Sequence, residues 1–520
     1  MNVQVNPSVT RVFDSAYKKS TAITFDEITF EDKPSTIHPN DVDLSTHITT
    51  KYKIRSAGII SSPMDTVTEK EMALAIAKMG GVGIIHRNMS SDEQCQMIKW
   101  VRNKIHYGGM IEKPISYKAD NTVSDVELDI KRNGWTFTNF PILDNNGSLL
   151  GMVSRNEMDF TEMGDPLLKD IMIPSNKLIV THEINKELAY KIMKEHKVKK
   201  LPVIDENNKF LGIYAWKDIK SDEPNKDLFS LDEDGHFLVG AAVGCGESEK
   251  ERVKKLADSN CKIIVIDTSH GANTQVIDML IWIKSTYPNI QVIIGNIASH
   301  DSCIFIIENC KKANILPDAI RVGVSPGSIC TTRRVTGHGM PQLTAVYEVW
   351  KALNIMNLSY IPIIADGGIK YSGDIVKAFA VGASCVMLGG VFAGCDEASS
   401  KYVTLNGQKY KTVRGMGSKE AMQERDGSRM RYLNTTGEKQ QSLTKNQQIK
   451  IVPEGVSGVV KHRGTVEKVI IEFTGGVRSG FAHSGAKNIS EFRQNCKLWL
   501  QSTVGINEGN PHSLEKIIDQ

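Results

Sequence analysis

Cys330 is the residue whose chemistry stands out first. It closes the stretch Arg321-Val-Gly-Val-Ser-Pro-Gly-Ser-Ile-Cys330, which follows a short apolar run and turns through Gly327 and Ser328. Glycines allow a tight turn and a close approach of backbone to ligand. The N–H groups of such a turn can hold a phosphate. Oriented amides and a nearby cation lower a thiol's pKa, so a cysteine placed there can attack as a thiolate. A purely structural role competes, because free cysteines are commonly small buried hydrophobes.

Other polar residues favour the chemical reading, because they recur at one kind of place. Apolar runs end at Ser61, Ser62, Met64 and Asp65, at Asp267, Thr268 and Ser269, and at Gly295 and Asn296. Others end at Ser328 and Cys330, at Asp366, Gly367 and Gly368, and at Gly389 and Gly390. One such ending is easily a strand cap; six at the same end of a sheet point to a site. Asp366 is suited to accept from ribose hydroxyls, Asp267 to do the same for a second nucleotide, and the glycine pairs to receive phosphate. Downstream, Arg414-Gly415-Met416-Gly417-Ser418 opens a polar stretch that holds Arg431, Tyr432 and Glu454. Such a length of glycine- and glutamine-rich chain, about residues 414–456, reads as a mobile lid.

The elements that must position these residues alternate. Residues 57–65 read as a buried strand, 68–79 as a helix opened by a Thr68–Glu71 capping box, and 80–86 as the next strand. That βαβ order implies a parallel sheet. Six further β-rich runs, at 237–244, 261–267, 290–296, 318–323, 361–366 and 385–389, continue the rhythm. Eight units predict an α/β TIM (β/α)8 barrel. A doubly wound sheet is the rival, suggested by Gly240–Gly246, which lacks the G-x-G-x-x-G spacing. Residues 1–20 read as polar and loosely held, and 22–28 as an edge strand.

An internal duplication interrupts the barrel. Residues 140–157 and 201–218 align without a gap at an offset of 61, matching Pro141 with Pro202, Asp144 with Asp205 and Gly151 with Gly212. Each copy reads as a hairpin followed by a polar turn, so the pair forms a separate module. Charged residues 221–235 read as a linker. The expected plan is barrel 1–109, inserted module 110–224 and barrel 225–520.

Composition narrows the class. The 520 residues exceed one ordinary core. The 63 basic and 60 acidic residues leave a net charge of +3, too balanced to suggest nucleic-acid binding. Nine cysteines without a C-x-x-C pair argue against a disulfide framework or zinc site and for a reducing compartment. The sequence shows neither a signal peptide nor an apolar run long enough to span a membrane, so a cytoplasmic location is expected.

These motifs in this order resemble the IMP dehydrogenase/GMP reductase family, from Phe25 to His512. The most specific segments are Ser61–Glu69, Gly327–Thr332, Ala365–Gly368 and Arg414–Ser418. The duplicated module resembles a tandem CBS-domain pair, which often binds adenine nucleotides. Asp218 matches that module's ribose-holding aspartate, and Glu157 departs from it. The resemblance implies oxidation of IMP to XMP with NAD as cofactor. Cys330 would form a covalent thioimidate, and Arg431, with Tyr432 and Thr332, would activate water for its hydrolysis. It assigns Ser62, Met64, Asn296, Arg321, Ser328, Asp366, Gly367, Gly368, Gly389, Gly390, Arg414, Gly415, Met416, Gly417 and Glu454 to the substrate. Asp267, Thr268, Ser269, Asn296 and Gly323 fall to the cofactor. A potassium ion would be held by carbonyls of Ser325, Gly327 and Cys330, completed by Glu508, Gly509 and Asn510 of a neighbouring subunit. That implies a homotetramer, with an octamer as the nucleotide-dependent alternative.

Three positions depart from the family pattern: Ser325 and Asn510 where glycine is usual, and Val413 where a phosphate-binding tyrosine is common. The closest rival activity is GMP reductase, which deaminates GMP with NADPH. Arg431 and Tyr432 favour the dehydrogenase, and Asp267 favours NAD, since a carboxylate repels a 2′-phosphate. A nucleotide-sensing scaffold with an inert barrel is the rival from another class, opposed by intact Cys330, Thr332 and Arg431.

Overall fold

The computed structural model describes residues 3–104, 110–111, 114–133, 135, 138–160, 164–216, 219, 226–424 and 452–511. Its centre is set by eight short runs of mostly Ile, Val, Ala and Gly. Strands this uniformly apolar are stable only when both faces are covered, which is the condition of a parallel sheet wrapped in helices. They are β1 (Ile59–Ser61), β2 (Val82–Ile85), β3 (Val239–Val243), β4 (Ile263–Asp267), β5 (Gln291–Ile297), β6 (Ala319–Val322), β7 (Ile363–Asp366) and β8 (Cys385–Leu388). They close into a barrel in chain order, each strand parallel to the next. Closure is direct, since Leu388 of β8 lies beside Ser61 of β1. This bears out the TIM barrel and removes the doubly wound sheet. Ile60, Ile84, Val265, Ile293, Ile364 and Met387 share one buried cluster with Ile48, Tyr52 and Ile54 of a preceding hairpin.

Four local expectations are revised. The first twenty residues contain a docked helix, α1 (Pro7–Lys18), capped by the Asn6 side chain, which accepts from the Ser8 N–H. Its apolar face of Val9, Val12, Phe13 and Ala16 is buried, and the Phe13 ring stacks on Tyr347 with centroids 4.0 Å apart. The edge strand starts later than expected, at Ile28–Phe30, paired antiparallel with Leu498–Leu500. Residues 24–27 are drawn into a turn instead, because Glu27 accepts from both the amide and the hydroxyl of Thr24. Thr68 does not cap the helix that follows β1. That helix, α2, spans Lys70–Lys78 with Glu69 at its N-cap. The Thr68 hydroxyl donates to the Ser62 carbonyl at 2.6 Å, tying the helix start to the end of β1. The expected linker is also partly built in, since Asp232 is buried and paired with Arg102.

Beyond the barrel, strands β9 (Tyr402–Leu405), β10 (Gln408–Arg414) and β11 (Ser457–Lys461) make a three-stranded antiparallel sheet. Residues 425–451, which include Arg431 and Tyr432, lie outside the described residues.

A second compact unit comprises Asn103–Pro224 and Glu233–His236. Its two hairpins repeat the duplication strand for strand: Pro141 faces Met152 in one, and Pro202 faces Ile213 in the other. Each has its own core, around Phe140, Ile142 and Val153 in the first and Leu201, Val203 and Tyr214 in the second.

Phe13 offers a direct check on the docked helix. Truncating a fully buried phenylalanine typically costs about 3–5 kcal/mol. Phe13→Ala is expected to lower the urea midpoint of the full chain by a corresponding amount. An unchanged midpoint would mean that α1 adds nothing to the barrel.

Candidate functional site

The strand ends of the barrel converge on a cavity of about 380 Å³. Ser62 and Met64 reach it from the end of β1, Asn296 from β5, Arg321 and Gly323 from β6, and Asp366 from β7. The loop after β6 contributes Ser325, Gly327, Ser328 and Cys330; the glycines after β7 and β8 contribute Gly367, Gly368, Gly389 and Gly390. Gly415, Met416, Gly417 and Glu454 close it from the segment around β10 and β11.

Arg321 organises the polar end. Its side chain is 2% exposed, and a buried guanidinium is tolerable only when paired and hydrogen-bonded. Nε donates to Asp366 Oδ2 at 2.9 Å, Nη2 lies 2.8 Å from the same oxygen, and Nη1 donates to Asp267. Asn296 Nδ2 adds a bond to Asp366 Oδ2 at 2.7 Å and another to the Gly323 carbonyl at 2.8 Å. Gly295 makes room for this arrangement: a Cβ there would sit 2.5 Å from the Arg321 carbonyl oxygen. Asn296 Oδ1, by contrast, is buried with no hydrogen-bond partner among the described residues, in a residue that lines the cavity. A buried acceptor left this way is costly unless a ligand satisfies it.

The cysteine is backed by a relay of hydroxyl and carboxylate. Cys330 Sγ lies 3.2 Å from Thr332 Oγ1, and Thr332 Oγ1 donates to Glu454 Oε2 at 2.7 Å. Since the threonine proton is committed to Glu454, its oxygen faces the sulfur as an acceptor. Backbone bonds keep the relay in register. The Thr331 N–H donates to the Glu454 carbonyl at 2.9 Å, and the Val456 N–H to the Ile329 carbonyl at 3.0 Å. Of the nine cysteines only Cys330 and Cys245 are half-buried; the other seven are buried. Burial pushes the Cys245, Cys261, Cys303, Cys310, Cys395 and Cys496 thiols up to about 12, which keeps them protonated at neutral pH.

Ser325 stands where the family resemblance implies glycine. It takes the left-handed conformation all the same, at φ +66°. Its hydroxyl supports that backbone by accepting from the Arg333 N–H at 3.0 Å.

Several expected residues stand elsewhere. Asp267 is 1% exposed and is not among the cavity-lining residues; its Oδ1 accepts from Arg321. Thr268 is buried and donates to the Gly295 carbonyl, and Ser269 does not line the cavity. Arg414 is turned to Asp65, with Nη2 2.7 Å from Oδ2 and Nε within 3.2 Å of both oxygens. Val413 is buried in β10 away from the lining. Glu508, Gly509 and Asn510 are exposed at the end of the helix Thr503–Glu508. Lys370 and Arg463 line the cavity without having been anticipated. Lys370 follows the Gly367-Gly368 motif directly and was therefore findable; Arg463 enters only through the pairing of β11 with β10.

The family described as "IMP dehydrogenase / GMP reductase domain" matches residues 22–512. The inosine-5′-monophosphate dehydrogenase of Aquifex aeolicus strain VF5 is 37% identical over 502 residues, 96% of each chain. That of Bacillus subtilis strain 168 is 35% identical, covering 97% of this chain and 98% of the other. Among solved structures, a cysteine-to-alanine variant of GMP reductase from Trypanosoma brucei, in complex with guanosine 5′-monophosphate, superposes with a TM-score of 0.78. It is 30% identical, and the match covers 96% of this chain and all of that one.

The burial of seven thiols and the raised pKa of Cys245 make a chemical prediction. Brief treatment with iodoacetamide at neutral pH is expected to label Cys330 first, as read by peptide mass spectrometry. Equal labelling of Cys245 would contradict the distinction drawn between them.

Proposed function

The chain belongs to the IMP dehydrogenase/GMP reductase family of oxidoreductases, and we propose that within it the protein oxidises IMP to XMP with NAD. The observation that carries this reading is the line Cys330–Thr332–Glu454 at the cavity wall, since it joins a nucleophile to a proton acceptor. Asp366, pre-oriented by Arg321 and Asn296, suits the ribose hydroxyls of a bound nucleotide. Ser328 and the glycines after β7 and β8 suit its phosphate.

The chemistry follows in two stages. Cys330 Sγ, as thiolate, bonds to carbon 2 of the hypoxanthine ring. NAD, when bound, supplies the two-electron acceptor that takes the hydride from that carbon. The ring C=N bond is thereby restored and the purine is left attached to Cys330 as a thioimidate. Water then adds to carbon 2, the carbon–sulfur bond breaks, and the oxygen stays with the product. Thr332 takes the water's proton as its own passes to Glu454. Arg431 and Tyr432 are proposed, by resemblance, to assist this second stage. Asn296 and Gly323 would hold the nicotinamide end, and the unpartnered Asn296 Oδ1 fits a ligand hydroxyl or amide there.

Potassium is proposed at the Ser325–Cys330 loop. The Gly327 carbonyl accepts from the Cys330 N–H at 3.1 Å, which leaves a second lone pair available to a cation. Glu508, Gly509 and Asn510 of a neighbouring copy would complete the shell and make the active form a tetramer. The inserted unit is proposed to be a CBS pair that binds adenine or guanine nucleotides and shifts assembly toward an octamer. Glu157 has a local role that accounts for its departure from the ribose-holding aspartate: it accepts from the Ser154 N–H at 2.7 Å and caps its own helix. Asp218 lies outside the described residues.

GMP reductase is the second reading, favoured by the solved Trypanosoma structure. An absorbance assay with potassium present decides between them. Growth of NADH with IMP and NAD supports the dehydrogenase; loss of NADPH with GMP, and no NADH growth, would replace it. A general base typically contributes about 10²–10⁴-fold to a rate. Thr332→Ala is therefore expected to slow steady turnover by about a hundredfold while retaining a rapid NADH burst. A burst lost along with turnover would place Thr332 in the first stage instead.

A further inference from the structure

Among the arginines around the cavity, the paired ones frame a contrast. Arg321 is taken up by Asp267 and Asp366, and Arg414 by Asp65. Arg463 and Lys370 line the cavity, are exposed, and have no carboxylate within ion-pairing distance among the described residues. An uncommitted guanidinium in a ligand cavity is suited to a planar, bidentate grip on an oxyanion.

The backbone of Arg463 is fixed. Its N–H donates to the Gly394 carbonyl at 2.9 Å, and the Asp396 N–H donates to the Gly464 carbonyl at 2.9 Å. His462, its neighbour, places Nε2 2.6 Å from Asp396 Oδ1. The segment it leans on is pinned in turn by the Lys411 ammonium, which donates to the carbonyls of Cys395, Asp396 and Ala398. Gly394 permits the close approach, because a Cβ there would sit 2.3 Å from the Lys461 carbonyl oxygen. Arg463 is thus stitched to the turn that begins at Gly389 and Gly390. At the same place Ser328 Oγ would lie 3.3 Å from a Cβ on Gly390. The backbone of Arg463 is thus set before an anion arrives, and only its side chain remains to be ordered, which lowers the cost of binding.

We propose that Arg463, with Lys370 also lining the cavity, is the residue that selects a nucleoside monophosphate over the bare nucleoside by pairing with its phosphate dianion. This rests on the substrate reading above. Isothermal titration of IMP and of inosine into Cys330→Ala, with Arg463 intact, as Arg463→Lys and as Arg463→Ala, tests it. A charge-assisted bond at a partly exposed site predicts about a tenfold weakening of IMP in Arg463→Ala, an intermediate loss in Arg463→Lys, and inosine unaffected. In the otherwise native enzyme the loss falls on KM for IMP more than on kcat. IMP binding within about twofold of the parent in both Arg463 variants would overturn the inference, as would equal weakening of inosine, which marks a structural defect. Failure of both IMP and GMP to bind the Cys330→Ala parent would instead overturn the substrate reading itself.

Discussion

The two-sided grip of Arg321 is the interaction on which the site depends. A guanidinium shut away from water is costly unless every donor is used. Here Asp267 on β4 and Asp366 on β7 share it, from strands on either side of β6. The pair fixes the direction of Asp366, and with Asn296 it leaves that carboxylate a defined face toward the cavity. Electrostatics inside the barrel mouth thus do the work that a mobile surface carboxylate could not. A truncation of Arg321 would leave the buried Asp267 carboxylate without its guanidinium and release Asp366, a defect that typically costs about 3–5 kcal/mol.

The loop after β6 shows the complementary strategy, in which backbone strain is held by local bonds. Ser325 adopts a left-handed backbone that L residues seldom take, at a cost of order 1–3 kcal/mol. Its hydroxyl recovers part of that through Arg333. Ser325, Gly327 and Cys330 thereby line the same cavity. Residues 454–456 then lie along residues 329–331, so Glu454 reaches Thr332 only when the sheet of β9, β10 and β11 is docked. The Cys330–Thr332–Glu454 line is therefore coupled to the position of that sheet.

Much of this could be read from residue order, and the parts that could not share a physical reason. All eight strands announce themselves as apolar β-rich runs, and the polar ends of β1, β5, β6, β7 and β8 match the cavity lining from Ser62 to Gly390. The duplication is plain because Pro141 and Pro202 sit at one register position of matching hairpins. Helix α1 is signalled only weakly: Val9, Val12, Phe13 and Ala16 follow helical spacing inside a polar segment. Thr68 and Glu71 fit a capping pattern, yet the hydroxyl found a better partner in the Ser62 carbonyl, seven residues of chain folded back on themselves. Asp267 illustrates the harder limit. Its position at a strand end suggested a ligand contact, but only the closed barrel reveals that Arg321 reaches it first. Arg463 lies beyond such reading altogether, because it is brought to the cavity by pairing between strands far apart in sequence.

The claim at the centre of this account is that Cys330 forms a bond to the purine during turnover. Acid quenching of the enzyme while it turns over IMP and NAD, followed by intact and peptide mass spectrometry, measures that bond directly. The account predicts an adduct of one purine monophosphate on the Cys330 peptide, absent when NAD is omitted. Steady NADH production by Cys330→Ala, or turnover with no adduct at any quench time, would contradict it.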